Sequence, residues 1–170
     1  MHPPLETNRH QRAEYNEQRL ESVSVLDKIA SYFLMAYHSA TRKDEKINQG
    51  LINNNCSAVV VIVSPESPRT YVFALNKGVP DPQILQETEF FIQQEGVRGA
   101  KVVFSDKYQD GTHAEMQLLK AYNLGEIRFA KQEMGVSKPC CAPCSHELQI
   151  KGINHTATHN DPVKSWKPPT

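Results

Sequence analysis

The spacing of the cysteines places the strongest constraint on what this chain can fold into. Three of the four, Cys140, Cys141 and Cys144, fall within five residues, and Cys56 lies far upstream. A disulfide framework spreads its cysteines so that each bond closes a long loop. Clustered cysteines instead indicate metal binding or redox chemistry, usually in a reducing compartment. The core must therefore come from apolar packing, and 170 residues are enough to bury one in a single domain.

Composition and charge exclude several classes of protein. With 39% hydrophobic and 22% charged residues, the chain is neither disordered nor collagen-like. The longest purely apolar run, residues 58–63, is six residues long, whereas a membrane-spanning helix needs about 20. The N-terminus lacks the pattern of a secretory signal. Nineteen basic and nineteen acidic residues cancel, which excludes a bulk electrostatic attraction for nucleic acid but allows a local basic groove.

Hydrophobic periodicity predicts an α/β domain in which helices and strands alternate after an opening hairpin. Residues 1–21 are polar and lack aliphatic periodicity, which predicts a solvated arm or a frayed helix start ahead of one domain over 22–170. Asp81 followed by Pro82 is a typical helix start. The predicted elements are a helix from 22 into the charged stretch 41–50, a hairpin of strands 58–63 and 70–75 around a turn at 65–68, a helix 82–96, a strand 101–104, a helix 112–125, a strand 127–130, a helix 139–152 and a strand 153–158.

Two short segments at predicted helix starts carry the residues suited to chemistry. The first holds His113 and Glu115, and the second holds Cys141 and Cys144. A helix–strand–helix unit with a parallel return brings two helix starts to one edge of a sheet, so these side chains can meet. One imidazole and two thiolates suit zinc, and three protein ligands leave the fourth position open for water, as in catalytic sites.

The surroundings expected at these positions suit their chemistry. The free amides and the dipole of a helix N-terminus stabilise a thiolate. Glu115 follows His113 by two residues, so it can reach a metal-bound water without being a ligand. A carboxylate in that position can shuttle protons beside a water whose pKa the metal has lowered to about 7.

The two motifs resemble the signature of the cytidine-deaminase-like superfamily, in which His-Ala-Glu is followed by Cys-x-x-Cys. They read HAEMQLL over 113–119 and SKPCCAPC over 137–144, with 28 positions from His113 to Cys141. These longer strings look most like the bacterial toxin-type and related fungal branches. The resemblance covers residues 56–160 and implies a mixed β-sheet with an opening hairpin and a helix–strand–helix zinc core over 110–152. The N-terminal helix and the helix 82–96 would be additions to that fold.

One position departs from the usual pattern of the superfamily. A proline normally precedes the first ligand cysteine directly, whereas here Cys140 takes that place and Pro139 comes before it. Cys140 is therefore an alternative ligand, in a Cys-x-x-x-Cys pattern. Cys141 is preferred because Cys-x-x-Cys spans one helical turn and directs both sulfurs the same way.

The resemblance implies a hydrolytic deaminase that uses Zn²⁺. In such enzymes an activated water attacks C4 of cytosine or C6 of adenine, and ammonia leaves. It also implies that Glu115 protonates the ring nitrogen and then the leaving amine. Asn76 stands where relatives hold the nucleotide sugar. The other residues expected at the substrate are Ala114, Ser137, Lys138, Pro139 and Trp166.

The expected substrate is cytosine in nucleic acid, with single-stranded DNA favoured, and the expected role is that of a toxin or effector domain. This implies a cognate immunity protein as partner, no membrane, and action in the cytoplasm after delivery by a secreted toxin. Trp166 in the proline-rich tail either caps the core or stacks on a base; in the latter case Trp166→Ala would weaken polymer deamination more than zinc binding. The lysines that could contact phosphates are Lys131, Lys138, Lys151, Lys164 and Lys167.

Several alternatives stand beside this prediction. The neutral charge also fits a deaminase of free nucleosides, nucleotides or bases, and a non-catalytic zinc module would have no use for Glu115. Thr112 and Glu115 have the spacing of a capping box. A redox Cys141–Cys144 pair is a further alternative, and Cys56 is expected to be a small core residue. A closed zinc site would use Cys140, Cys141, Cys144 and His146. His146, His155 and His159 could each touch a ligand.

Overall fold

The computed structural model describes residues 9–41, 55–65, 69–156, 158–159, 163 and 165–170, with the side chains of the first segment described over 22–40. Helix α1 spans Arg9–Thr41. Its start lies upstream of Ser22, so residues 9–21 are helical, and residues 1–8 of the predicted arm lie outside the described part. Arg, Gln, Glu, Ala and Leu dominate this stretch without Gly or Pro, and these residues favour a helix even without an apolar stripe.

The centre of the fold is a mixed four-stranded sheet in the order β3-β2-β1-β4. Strands β1 (Ser57–Ile62) and β2 (Thr70–Leu75) form the predicted antiparallel hairpin, although residues 66–68 of its turn lie outside the described part. Strand β3 (Lys101–Phe104) is parallel to β2, and β4 (Gly135–Val136) is antiparallel to β1. The predicted α/β class with a mixed sheet is confirmed.

Helices cover both faces of this sheet. Side chains of β1 and β2 alternate between the faces, so that Val59 and Phe73 contact α1 and α2 (Pro82–Gln94), while Val60 and Val72 face α3 (Ala114–Asn123) and α4 (Ala142–Ile150). Phe33 of α1 stacks on Phe73 with ring centroids 4.4 Å apart. None of the helices in the described part of the chain combines the length and apolar content needed to span a membrane.

The strand predicted at 127–130 is reduced to a bridge between Phe129 and Ile62. The backbone N–H of Val63 donates to the carbonyl of Arg128, and that of Ala130 donates to the carbonyl of Val61, both at 2.8 Å. The two-residue strand at this edge of the sheet is β4 at Gly135–Val136. Gly135 explains the difference, because α1 lies directly against it: a Cβ there would come within 2.4 Å of the backbone of Leu26. A long-range contact between a helix and a glycine selects this strand, and local β propensity does not report such a contact.

The helix predicted to start at Pro139 also begins later. Residues Cys140–Cys141 form β5, which pairs in parallel with β6 (Thr158–His159), and α4 starts at Ala142. Pro143 lies in the first turn of α4, where its missing N–H would have no helical partner in any case. The strand predicted over 153–158 is reduced to β6 and a bridge at Asn154, with residue 157 outside the described part.

Candidate metal centre and active site

His113 is held at the start of α3, where it is the N-cap residue. Its carbonyl accepts hydrogen bonds from the N–H groups of Met116 and Gln117, both at 3.0 Å. The buried Gln117 side chain donates through Nε2 to the carbonyls of Leu75 (2.8 Å) and Thr112 (2.9 Å). The start of α3 is therefore tied to the end of β2, which fixes the backbone that carries the imidazole.

The two cysteines come from the start of α4. Cys141 is the N-cap of this helix and Cys144 lies one turn further on, so both sulfurs point to the same side. Nδ1 of His113 lies 3.5 Å from Sγ of Cys141 and 3.4 Å from Sγ of Cys144. The structure thus brings the three predicted ligands together, and their ligand atoms all lie within 4.8 Å of one another.

These distances fit a zinc ion. Bonds of about 2.0 Å to nitrogen and 2.3 Å to sulfur place tetrahedral ligand atoms about 3.5 Å apart. The two nitrogen–sulfur distances, 3.5 and 3.4 Å, match that edge. Among the described residues, the group that could hold a metal comprises His113, Cys141 and Cys144, with no fourth His, Cys, Asp or Glu. The cluster can therefore hold a metal ion with one position left open.

Without a cation, the Cys144 sulfur is an unfavourable site for negative charge. Burial, followed by the charge of Glu115, raises the pKa of the Cys144 thiol, and a hydrogen bond from Trp166 opposes this. Cysteine binds metals as the thiolate, so a bound cation would supply the compensating charge that the apolar surroundings lack.

Glu115 is buried beside this cluster, in the first turn of α3, with 4% of its surface exposed. Burial raises the pKa of its carboxyl, while its own backbone N–H, the charge of His113 and a hydrogen bond from the Cys140 thiol oppose this. Among the described residues, nothing hydrogen-bonds its Oε2. A buried carboxyl with one free oxygen and a raised pKa is suited to carrying a proton.

The capping-box alternative for Glu115 does not form. The backbone N–H of Thr112 donates to the carbonyl of Gln109 at 2.6 Å, and His113 is the N-cap residue, with no side-chain cap hydrogen bond. The closed zinc site that would use Cys140 and His146 does not form either. His146 is exposed, and the Cys140 thiol hydrogen-bonds Glu115. All four cysteines are free, so Cys141 and Cys144 are not joined by a disulfide.

Two of the residues expected at the substrate meet at the start of β1. The side-chain oxygen of Asn76 accepts the backbone N–H of Cys56 at 2.8 Å, and Oγ of Ser137 accepts that of Ser57, also at 2.8 Å. Ala114 is fully buried, and its backbone N–H hydrogen-bonds the Cys56 thiol. Asn76, Ser137 and Ala114 therefore surround Cys56.

Cys56 also belongs to this region, although the sequence predicts it only as a small core residue. Burial, followed by the charge of Glu115, raises the pKa of its thiol, and the charge of Lys138 opposes this. The signal that could have found it is the hairpin register: Ser57 pairs with Leu75, so Cys56 must lie opposite Asn76.

The remaining expected residues lie around the cluster at different depths. Lys138 is half-buried, and Pro139 is exposed. Burial of His38 lowers the pKa of its imidazole, and the charge of Lys138 lowers it further. Trp166 is half-buried against the core, and its indole N–H donates to Sγ of Cys144 at 3.3 Å. Capping of the core is therefore the alternative for Trp166 that the structure favours. Lys131 and Lys151 are exposed, and Lys164 lies outside the described residues.

Two of the histidines that could touch a ligand, His155 and His159, lie near the second cysteine segment. Nε2 of His155 is 2.7 Å from Oγ of Ser145, which is adjacent to Cys144. His159 pairs with Cys141 in the β5–β6 ladder. Neither of them is among the residues that could hold the metal.

Comparison with known proteins supports this interpretation of the site. Residues 112–170 match the model of the OTT_1508-like deaminase family. The match contains α3, α4, the three candidate ligands and Glu115. The comparisons with curated proteins and with solved structures found no match. Deaminases of this kind commonly use zinc. Residues 112–170 are therefore similar in sequence to a deaminase family, and they contain the cluster that could hold a metal ion.

Proposed function

We propose that the protein is a zinc-dependent hydrolytic deaminase that converts cytosine to uracil in nucleic acid, with single-stranded DNA favoured. One observation carries the proposal: the buried carboxyl of Glu115 lies beside a His113–Cys141–Cys144 cluster with an open fourth position. The family match over the same residues supports the reaction class. The choice of cytosine rests on the resemblance of the two motifs.

The side chains divide the chemistry between them. His113, Cys141 and Cys144 would hold the zinc ion. When bound, zinc supplies a Lewis acid that makes water nucleophilic near neutral pH. Glu115 accepts a proton from the attacking water and transfers protons to N3 of the ring and then to the leaving amine. Overall, a C4–O bond forms, the C4–N bond breaks, and one water is consumed for each ammonia released.

The burial of the cluster supports the preference for unpaired bases. Cys144 is fully buried, and Cys141 and Glu115 are each 4% exposed, so a base must leave its stack to reach them. Unstacking costs a few kcal/mol, and a chain with no net charge offers no bulk electrostatic attraction to supply it through phosphate contacts. Asn76, Ser137 and Lys138 are the candidates for contacts around the base.

The proposal includes a role as a toxin or effector domain that acts in the cytoplasm, held in check by an immunity protein. The likeness of both motifs to toxin-type deaminases supports this role. Expression in a bacterium should then stop growth and raise C-to-T mutation, and Glu115→Gln should remove both effects. Normal growth and an unchanged mutation rate with active wild-type protein would contradict the toxin role.

A deaminase of free nucleosides, nucleotides or bases is the second candidate. The pairing of exposed lysines favours it: Lys107 contacts Glu126 at 2.9 Å, and Lys167 lies 3.6 Å from Asp110. Cations that are already paired with carboxylates bind phosphates less readily.

The deciding experiment incubates zinc-loaded protein with single-stranded DNA, duplex DNA, RNA and cytidine, and measures the bases by mass spectrometry. Uracil should form fastest on single strands, with a rate that falls steeply as salt rises. Glu115→Gln is the matched control and should form none. Equal turnover of cytidine and single strands, insensitive to salt, would favour the second candidate. Conversion of adenine instead would overturn the base assignment, and metal binding without any turnover would indicate a non-catalytic zinc module.

A further inference from the structure

We infer that Trp166 is a positioning residue of the metal centre, whose indole N–H holds the Cys144 sulfur as a ligand. The inference rests on the proposed function in that it takes the cluster to be a zinc site. It assigns to the C-terminal tail a part in metal binding that neither motif contains.

The contact itself has the chemistry that a metal thiolate requires. Nε1 of Trp166 lies 3.3 Å from Sγ of Cys144. An indole N–H can donate a hydrogen bond but cannot accept one, so it matches a sulfur that carries negative charge. Cys144 is fully buried and Trp166 packs against the same apolar cluster, so little water competes for the bond.

The tail that carries the indole is fastened at two points just after Trp166. Lys167 donates through Nζ to the carbonyl of Asp110 at 2.7 Å, and Asp110 lies in the loop just before His113. Nδ2 of Asn123, the last residue of α3, donates to the carbonyl of Pro169 at 3.2 Å. Residues 165–170 therefore connect to both ends of the helix whose start holds His113. The indole is thus fixed relative to the backbone that carries His113.

A hydrogen bond to a ligating thiolate has a defined effect. It withdraws electron density from the sulfur, which stabilises the anion and leaves the metal a stronger Lewis acid. Partners of this kind typically change metal affinity or activity by about 10- to 100-fold when they are removed. This predicts that Trp166 acts on metal binding directly, in contrast to the base-stacking role, in which zinc binding would be nearly unaffected.

The test uses Trp166→Phe, which keeps an aromatic ring and removes the N–H. Metal-free wild type and variant are titrated with Co²⁺, and zinc affinity is measured by competition with a chelator. The variant should bind about 10- to 100-fold more weakly. Its sulfur-to-cobalt charge-transfer band should move to longer wavelength, because the sulfur is then more electron-rich. Tyr122→Phe is the matched control, since it changes an aromatic residue on the same apolar cluster without touching Cys144, and it should leave both readouts unchanged.

Trp166 is also the single tryptophan of the sequence, so wild-type protein supplies a measurement that needs no variant. Its one indole N–H resonance should shift and exchange more slowly when Zn²⁺ is added. An indole resonance that does not respond to zinc would overturn the inference even if Trp166→Phe failed to fold. Unchanged affinity and band position in a folded Trp166→Phe would also overturn it and leave the proposed function intact. A wild-type protein that binds neither metal would refute the zinc site and, with it, both proposals.

Discussion

The two faces of the central sheet differ in what they bury. The face covered by α1 and α2, here called the scaffold face, is filled with aliphatic and aromatic side chains such as Ile29, Phe33 and Phe73. Its buried hydroxyls hydrogen-bond backbone carbonyls: that of Ser57 donates to Ala30 at 2.6 Å, and that of Thr88 to Ile84 at 2.8 Å. The face covered by α3 and α4, here called the site face, buries Glu115 and three cysteines.

Because of this difference, the scaffold face mainly stabilises the fold, and the site face holds the groups suited to chemistry. Ionising the buried Glu115 or Cys144 costs free energy of folding, as the raised pKa values of these two groups indicate. The scaffold face carries apolar contacts that can offset that cost. Substitutions on the two faces should therefore have different signatures: lost metal or turnover on one, and lost stability with an intact site on the other.

The largest effect should come from the ligands of the site face. His113→Ala, Cys141→Ala and Cys144→Ala should each reduce the zinc content from about one ion per chain to near zero, because a mononuclear site with three protein ligands does not tolerate the loss of one. Elemental analysis of purified protein measures this content. Cys140→Ala is the control and should keep its zinc. Metal loss in Cys140→Ala with retention in Cys141→Ala would overturn the ligand assignment.

The next effect concerns turnover alone. Glu115→Gln should keep the zinc and lower the deamination rate by about 10²- to 10⁴-fold, the usual contribution of a general acid–base group. Its thermal stability should not fall, since the substitution removes a buried ionisable carboxyl. Activity close to that of wild type would contradict the proton-transfer role.

These site residues could be predicted because they are local in the sequence. His113 and Glu115 lie two residues apart, and Cys141 and Cys144 lie three apart on one helical turn, so helix geometry alone orders each pair. The hairpin and the helix after Asp81 were likewise predictable from β-branched runs and helix-start signals.

The contacts that the sequence did not predict are long-range. Trp166 reaches Cys144 from residues 165–170, which form neither helix nor strand, and Cys56 meets Asn76 only once the hairpin register is known. The place of β4 depends on the approach of Leu26 to Gly135. In each case, tertiary packing rather than local propensity determines the outcome.

A smaller effect is expected where the scaffold face meets β4. Gly135→Ala would place a Cβ 2.5 Å from Cβ of Leu26, so α1 or β4 must shift. Such overpacking typically costs about 1–3 kcal/mol in the free energy of unfolding, which urea denaturation measures. The zinc content of the folded variant should equal that of wild type. A loss of zinc without a loss of stability would show that the two faces are not separable in the way proposed.

The smallest effect is a pH dependence at Asp27, which joins α1 to β4. Oδ1 of Asp27 accepts the N–H of Val136 at 2.8 Å, and Oδ2 accepts the hydroxyl of Thr156. Burial raises its pKa above the ordinary value near 3.8, while these two hydrogen bonds and the charge of His155 oppose the shift. A raised carboxyl pKa means that the folded state holds the proton more tightly than the unfolded state does. Ionised Asp27 therefore destabilises the fold above its raised pKa, and this is relieved as the pH falls toward 3.8.

Asp27→Asn should remove this dependence, because the amide oxygen can still accept the Val136 N–H without carrying a charge. In urea denaturation, the free energy of unfolding of Asp27→Asn minus that of wild type should be larger at pH 7 than at pH 4. The contributions of other titrating groups cancel in this difference. Thr156→Val is the matched comparison: it removes a bond that favours the ionised carboxylate and should shift stability the other way at pH 7. If Asp27→Asn is stabilised more at pH 4 than at pH 7, then hydrogen bonding, and not burial, determines the ionisation of Asp27 where α1 meets β4.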